Sequence, residues 1–361
     1  MAEKKRLAGI ELLRILAMVM VVIMHFLRES ASLLSAEPVS GNIGLMILGT
    51  LLESFCIVAV NTYVFISGYF GCTSEFKLSR VITFLCQIWF YSLLIPLVLT
   101  CLGQPTLGKE IGVYGLVQYV LPVESESYWF ATSYFLLLLL MPLLNAAVKN
   151  LTKKQMQVTL VLLFIIFSVI KSICPINLAF DKYGYDLSWF ICIYLLASYF
   201  RIYGGGIWER CPWKIYVGSS LIIFAMTVGL WYVLKVFSGA AYYFTVPFHY
   251  NFVFCLTGAA GLFFGFKKIR LKEGRMADLI RRAGKYSFGI YLLHEHPDLR
   301  HGWYPLFKSI VNPTGSENLV MFFGELIFSV LILFAAGLII EWIRTFLYDL
   351  IRKGGYYADG K

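Results

Sequence analysis

Apolar residues in this chain fall into unbroken runs of about 20, separated by short polar stretches rich in lysine and arginine. A helix rises 1.5 Å per residue, so about 20 residues cross roughly 30 Å of hydrocarbon. Ten such runs are read, at about 8–27, 43–66, 80–102, 128–148, 156–174, 186–203, 215–236, 246–266, 284–297 and 319–347. The ninth is short and stops near Pro297, which reads as a half-helix or a span tilted against its neighbours. "VFISGYFG" closes the second run, and its Ser67-Gly68-Tyr69 reads as a tight turn at the inner face. The pattern predicts an all-α polytopic membrane protein of about ten transmembrane helices, forming one transmembrane domain over residues 1–361.

Composition agrees: 59% of residues are hydrophobic and 14% are charged, against about 25% charged in a soluble domain. The net charge of +10 raises the question of nucleic acid. The basic residues lie in short loops beside the runs, so they read as positive-inside flanks, with membrane lipid rather than nucleic acid as the partner. With the N-terminus in the cytoplasm, 23 of the 31 lysines and arginines fall in inner segments and seven in outer ones, leaving Arg14 within the membrane. That bias predicts cytoplasmic N- and C-termini. Lys4, Lys5 and Arg6 followed by an apolar core resemble a signal peptide, but an arginine and a histidine interrupt that core. The segment therefore reads as an uncleaved first span. The eight cysteines are scattered and form no C-x-x-C pair, so they point to neither a metal site nor a disulfide framework.

The charged residues inside the apolar runs carry the chemistry. Arg14 and His25 lie eleven residues apart in the first run. At about 100° per residue that spacing is three turns plus about 20°, so both share one helix face, roughly 16 Å apart in height. Glu11 sits on the same face, one turn before Arg14, and can pair with it. Ionisable groups in a bilayer face protein or water, so this face is expected to line an internal cavity. His294, near the outer end of the ninth run, matches the depth of His25. Lys77 and Arg80, three residues apart at the inner start of the third span, suit a phosphate-bearing ligand. Tyr128 and Trp129 open the fourth span at its outer end, where Trp also suits stacking on a sugar ring. Each group has a plainer reading: a snorkelling Arg14, helix-packing or interfacial histidines, positive-inside flanks, an aromatic belt. No G-x-S-x-G, Walker loop, H-E-x-x-H or strand-borne G-x-G-x-x-G occurs, so a nucleophilic-serine hydrolase and a nucleotide motor are unsupported.

"RLAGIELLRILAMVMVVIMHF", with an arginine, ten residues and then a histidine, resembles the first span of the acyltransferase 3 family of membrane O-acyltransferases. The resemblance continues in order through "SGYF" with basic residues after it, "YWF…Y…MPLLN" and "YSFGIYLLH". It implies about ten transmembrane helices in a bacterial plasma membrane. It also implies transfer of an acyl group, usually acetyl, from cytoplasmic acyl-CoA to a hydroxyl of a cell-surface or lipid-linked carbohydrate. On that reading acetyl-CoA is the donor, and its phosphates are held by Arg14, Lys77 and Arg80. His25 is general base or transient acyl carrier, Glu11 holds Arg14, and His294, Tyr128 and Trp129 serve the acceptor; no metal is called for. Lys77 stands where many relatives have an arginine, a point charge in place of a planar fork. Some relatives carry a C-terminal extracytoplasmic esterase-like domain; this chain ends at "RKGGYYADGK", so transfer is expected to finish in the membrane domain or on a partner. A glycan or lipid transporter, and a non-catalytic sensor or assembly subunit, are the alternatives; the oligomeric state is not legible in the sequence.

Overall fold

A computed structural model describes residues 6–36, 41–174 and 182–358, and among these the regular structure is entirely helical. In chain order the α-helices are α1 (Ala8–Glu29), α2 (Ile43–Cys56), α3 (Ala59–Gly71), α4 (Leu78–Cys101), the short α5 (Leu107–Glu110) and α6 (Val113–Val120), α7 (Trp129–Asn150), α8 (Lys153–Phe164), α9 (Ile170–Ile173), α10 (Leu187–Tyr203), α11 (Ile207–Arg210), α12 (Pro212–Val236), α13 (Ala241–Thr245), α14 (Val253–Lys267), α15 (Arg275–His294), α16 (Trp303–Val311) and α17 (Leu319–Ala358). Helix is the form such apolar segments must take, because hydrocarbon offers no partner for a backbone N–H or C=O and a helix satisfies both within itself. Polar caps set several starts. The Asn42 side chain accepts from the Gly44 and Leu45 amides before α2, and Asp186 accepts from Trp189 before α10. Thr152 and Gln155 cap each other reciprocally at α8.

Among the described residues, eight helical segments are long and apolar enough to cross a membrane; α2 and α3, with a turn at Ile57 and Val58 between them, form one of them. Two further helices lie where the sequence reading places spans. These are α10, apolar but 17 residues long, and α15, whose first half is charged. The α15 result corrects the ninth span. It is a full 20-residue helix that begins at Arg275, not a half-helix. A hydropathy window averages out an amphipathic start, and here Arg281 is tied down by Asp278 and Glu273.

The bundle has a centre and a rim. α1 packs on α2, α3, α14, α15 and α17, while α3 pairs with α10, α12 with α14, and α15 with α17. The most apolar stretch of the segment ending in α14 is 72% buried, against 17% for the one running from α8 to α9. On the rim, Leu97, Leu143 and Leu331 turn outward, as lipid-facing positions do. Close approach at the centre uses glycine. A Cβ on Gly68 would lie 2.7 Å from the Tyr194 carbonyl oxygen of α10, and one on Gly261 would lie 2.8 Å from that of Pro212. Ser67-Gly68-Tyr69 is therefore not a turn: it lies within α3, and the glycine is there to let α10 in.

Two predictions follow from this architecture. Gly68→Ala lowers the thermal midpoint of the detergent-solubilised protein by several degrees. Gly218→Ala, in a helix interior with open space about it, leaves it unchanged or raises it, since alanine favours helix by about 0.5–1 kcal/mol over glycine. The charge bias puts exposed Cys101 outside and exposed Cys211 inside. In single-cysteine variants, a membrane-impermeant maleimide should label Cys101 on intact cells and Cys211 only after permeabilisation, and the reverse pattern would refute the orientation.

Candidate active site

The contact between α1 and α15 gathers the ionisable residues. At its inner end, Glu11 is 1% exposed and accepts from the Arg14 guanidinium, with Arg6 Nη1 at 3.5 Å. The helices close tightly here: a Cβ on Gly284 would fall 2.6 Å from Glu11 Oε2. The Tyr63 hydroxyl of α3 donates to the Arg14 carbonyl at 2.6 Å and lies 3.4 Å from Ser287 Oγ of α15, fastening three helices. Arg14 keeps 26% of its side chain exposed, so the guanidinium is held by Glu11 yet open to a ligand.

At the outer end, His25 Nδ1 lies 2.8 Å from His294 Nε2 and 3.3 Å from Glu295 Oε1. The hydrogen positions follow from the partners. His294 Nδ1 is 2.6 Å from the Ile290 carbonyl oxygen. A carbonyl can only accept, so Nδ1 of His294 carries the proton and its Nε2 presents a lone pair. His25 must then donate from Nδ1, to His294 and to the Glu295 carboxylate. In neutral His25 the other nitrogen, Nε2, is left unprotonated and free to take a proton. Arg28 and Arg300 both bring positive charge to bear on this ring. His25 Nδ1, His294 Nε2 and Glu295 Oε1 lie within 4.8 Å of one another, a spacing that three metal ligands can also adopt. At 2.8 Å the two imidazoles make a direct hydrogen bond, and that is the arrangement described here.

The loop after α15 is anchored at Asp298 and Arg300. Asp298 accepts from the Leu107 amide at 2.9 Å and from the Tyr119 hydroxyl at 2.8 Å. Burial, with the Asp298 carboxylate adding to it, pushes the Tyr119 phenol up to about 12. Tyr119 therefore stays a hydrogen-bond donor throughout the physiological range. Arg300 donates to the Ser127 carbonyl at 2.8 Å, tying this loop to the start of α7.

Along α15, Gly284, Ser287, Tyr291 and His294 recur at three- and four-residue intervals and mark the stripe between the two ends. Phe288 stacks on Phe84 of α4 at 5.0 Å and on Tyr291 at 5.6 Å, and Tyr291 meets His294 edge-on at 6.3 Å. A continuous aromatic wall thus runs from α4 to the imidazole pair. Arg80 lies at its foot, on a concave surface shared with Ser79, Thr83, Phe84 and Gln87. Lys77 and Arg80 are exposed, and their side chains make no hydrogen bond or ion pair with any described residue. The structure brings Glu11 to Arg14 and His25 to His294, and leaves Lys77 and Arg80 exposed at the start of α4.

Tyr128 is 1% exposed, so the aromatic-belt reading does not describe it; its ring lies 6.2 Å from Tyr291 and 5.9 Å from His296, and its hydroxyl is unpartnered. Trp129 packs at 4.5 Å on Tyr185 and at 5.6 Å, nearly parallel, on Tyr250. Three participants were not singled out from sequence: Glu295, Tyr63 and Ser287. Glu295 stands beside His294 in "LLHEHP", and only the fold brings its carboxylate to His25; Ser287 lies within "YSFGIYLLH" with nothing in the spacing to mark it, and Tyr63 is an ordinary span residue.

No curated protein and no solved structure matches the chain. The acyltransferase 3 family model, described as an acyltransferase domain, matches residues 7–343, a stretch that includes both ends of the α1–α15 contact and the cations of α4. The chain belongs to the acyltransferase 3 family of membrane acyltransferases.

Proposed function

We propose that this acyltransferase moves an acetyl group from cytoplasmic acetyl-CoA to a hydroxyl of a cell-surface or lipid-linked carbohydrate in a bacterial plasma membrane, with His25 as general base. The observation that carries the reading is the hydrogen-bond order Ile290–His294–His25, which leaves Nε2 of His25 unprotonated. The acceptor oxygen attacks the thioester carbonyl while His25 Nε2 takes its proton. The tetrahedral centre then collapses, the C–S bond breaks, and the same proton passes from the imidazolium to the departing thiolate. His294 and Glu295 hold the ring by accepting from Nδ1, and the Glu295 carboxylate stabilises the imidazolium as it forms. If the acyl group is instead carried transiently on the enzyme, the nucleophile is the same Nε2.

On the donor side, Arg14, Lys77 and Arg80 offer cations to the CoA phosphates, with Glu11 fixing Arg14. The aromatic wall from Phe84 to Tyr291 gives the extended arm of the donor an apolar surface to follow toward His25. His294, Tyr128 and Trp129 belong to the acceptor side. Family membership favours this chemistry over a transporter or an assembly subunit.

Acetyl transfer from labelled acetyl-CoA in isolated membranes tests the reading. His25→Ala should lower the rate by 10²–10⁴-fold, the usual contribution of a positioned base; transfer at the wild-type rate in His25→Ala or Arg14→Ala membranes would refute the mechanism. Arg80→Gln should raise the acetyl-CoA KM several-fold with little change in kcat, because it removes a binding charge remote from the reacting atoms. Lys77→Arg should keep activity at or above wild type, since a guanidinium adds bidentate contact to phosphate.

A further inference from the structure

A cavity of about 120 Å³ opens where the end of α1 meets the start of α2, α16 and the start of α17, and the mechanism above makes no use of it. α1 closes there in a Schellman turn. The Ala31 amide donates to the Arg28 carbonyl at 3.1 Å and the Ser32 amide to that of Leu27 at 3.0 Å, with Ala31 at φ 52° in the position that usually falls to glycine. The turn sets Ser30 and Ser32 in the cavity wall, their hydroxyls 2.9 Å apart. From the segment before α17, Glu317 comes up to the start of α2: a Cβ on Gly41 would lie 3.8 Å from its Oε2.

Glu325 of α17 lines this cavity and is 5% exposed. The Tyr304 hydroxyl donates to its Oε2 at 2.8 Å and the Asn312 side-chain amide to its Oε1 at 2.7 Å. Asn312 is itself buried, and its own side-chain oxygen accepts from the Ser316 amide at 2.9 Å, so the carboxylate is held from behind. A carboxylate offers about four lone-pair sites, and these two donors take one on each oxygen. Nearer the surface, Lys308 and Glu317 make no hydrogen bond or ion pair with any described residue. The Asn42 side-chain oxygen accepts from the Gly44 amide at 3.0 Å and that of Asn318 from the Met321 amide at 3.0 Å, which leaves both NH2 groups to donate. Leu45, Met46 and Phe322 supply apolar surface among these groups.

We propose that this cavity holds one sugar unit of the acceptor, and not the unit that receives the acyl group. Two carboxylates stand against an anionic ligand and Lys308 stands against a cation. What suits both is a neutral molecule whose groups donate and accept in turn, as vicinal hydroxyls do: donating to Glu325 and Glu317, accepting from Lys308, Asn42 and Asn318. Neither imidazole lines the cavity. The two sites are joined only through rings: Tyr304 and Phe322 lie 5.4 and 5.7 Å from Phe26, the residue after His25, and Trp303 lies 6.4 Å from His294. A sugar seated here keeps its own hydroxyls away from His25 and presents the next unit to it, so the acceptor is a chain of two or more units. The cavity depends on the acetyl-transfer reading for its purpose but not for its sugar binding, and the test separates the two.

Saturation-transfer NMR on the full-length protein in phosphatidylcholine nanodiscs, without acetyl-CoA, reads the binding of methyl glucoside, methyl galactoside and methyl N-acetylglucosaminide. At least one glycoside should bind. Glu325→Gln and Lys308→Met should each raise its Kd about tenfold, the worth of a hydrogen bond to a charged group, and His25→Ala should leave it unchanged. Lys308→Met alters an unpaired surface side chain, so it decides the matter if Glu325→Gln does not fold. No glycoside signal from wild type, or a wild-type Kd in either folded variant, overturns the cavity as a sugar site. Loss of binding in His25→Ala does so too, since it puts the sugar at the imidazole pair. Displacement of the glycoside by glycerophosphoethanolamine assigns the cavity to a zwitterionic lipid headgroup instead and overturns it equally. In membranes, transfer to the disaccharide of the sugar that binds should exceed transfer to its methyl glycoside, and Lys308→Met should erase that difference with the acetyl-CoA KM unchanged; equal transfer to both in wild type overturns the two-unit acceptor. If wild type turns over no acetyl-CoA, the acetyl-transfer reading falls and the NMR comparison still decides the cavity.

Discussion

A polar group in hydrocarbon has no solvent to turn to, so each one must find its partner inside the protein, and the contact between α1 and α15 is where this chain meets that demand most densely. Its inner end joins Glu11, Arg14, Tyr63 and Ser287; its outer end joins His25, His294 and Glu295. At the Glu11 end the helices close on Gly284, where a Cβ would meet the Glu11 side chain and carbonyl. Two buried polar clusters on one helix pair fix its register as well as its distance. A slide of one turn along the pair would part Glu11 from its place at Gly284 and His25 from His294 at once.

The same constraint prepares the chemistry. A histidine in a loosely packed site exchanges tautomers freely, and only a fraction of molecules would present the useful one. Here the backbone carbonyl of Ile290 dictates the proton on His294, and His294 dictates the proton on His25. The order originates in an oxygen that cannot donate, so it does not depend on a neighbouring charge. α15 ends at His294, and Glu295 follows directly, which lets one helix terminus supply both acceptors for the same N–H.

Much of this was legible in the sequence, and the parts that were not share a cause. Span positions followed from run length, and the Arg14–His25 face from an eleven-residue spacing and a fixed turn angle. Sequence could place His294 at a matching depth but could not bring α15 to α1, because no local pattern encodes which helices are neighbours. In sequence Gly68 reads as a turn because glycine has two uses, backbone freedom and a missing side chain, and only the 2.7 Å approach of the Tyr194 carbonyl tells them apart. The ninth span reads short because its charged first half looks like a loop to an average over hydropathy.

The two ends of the site also answer differently to substitution. Lys77 and Arg80 are exposed and unpartnered, so water and salt screen them and no single geometry is imposed on either. Such charges act by number more than by placement. His25, His294 and Glu295 sit in a low-dielectric setting, where a hydrogen bond is worth more when made and its loss is felt more when broken. Each of them also sets the proton position of another. Substitution is therefore easier to absorb at the exposed start of α4 than at the imidazole pair.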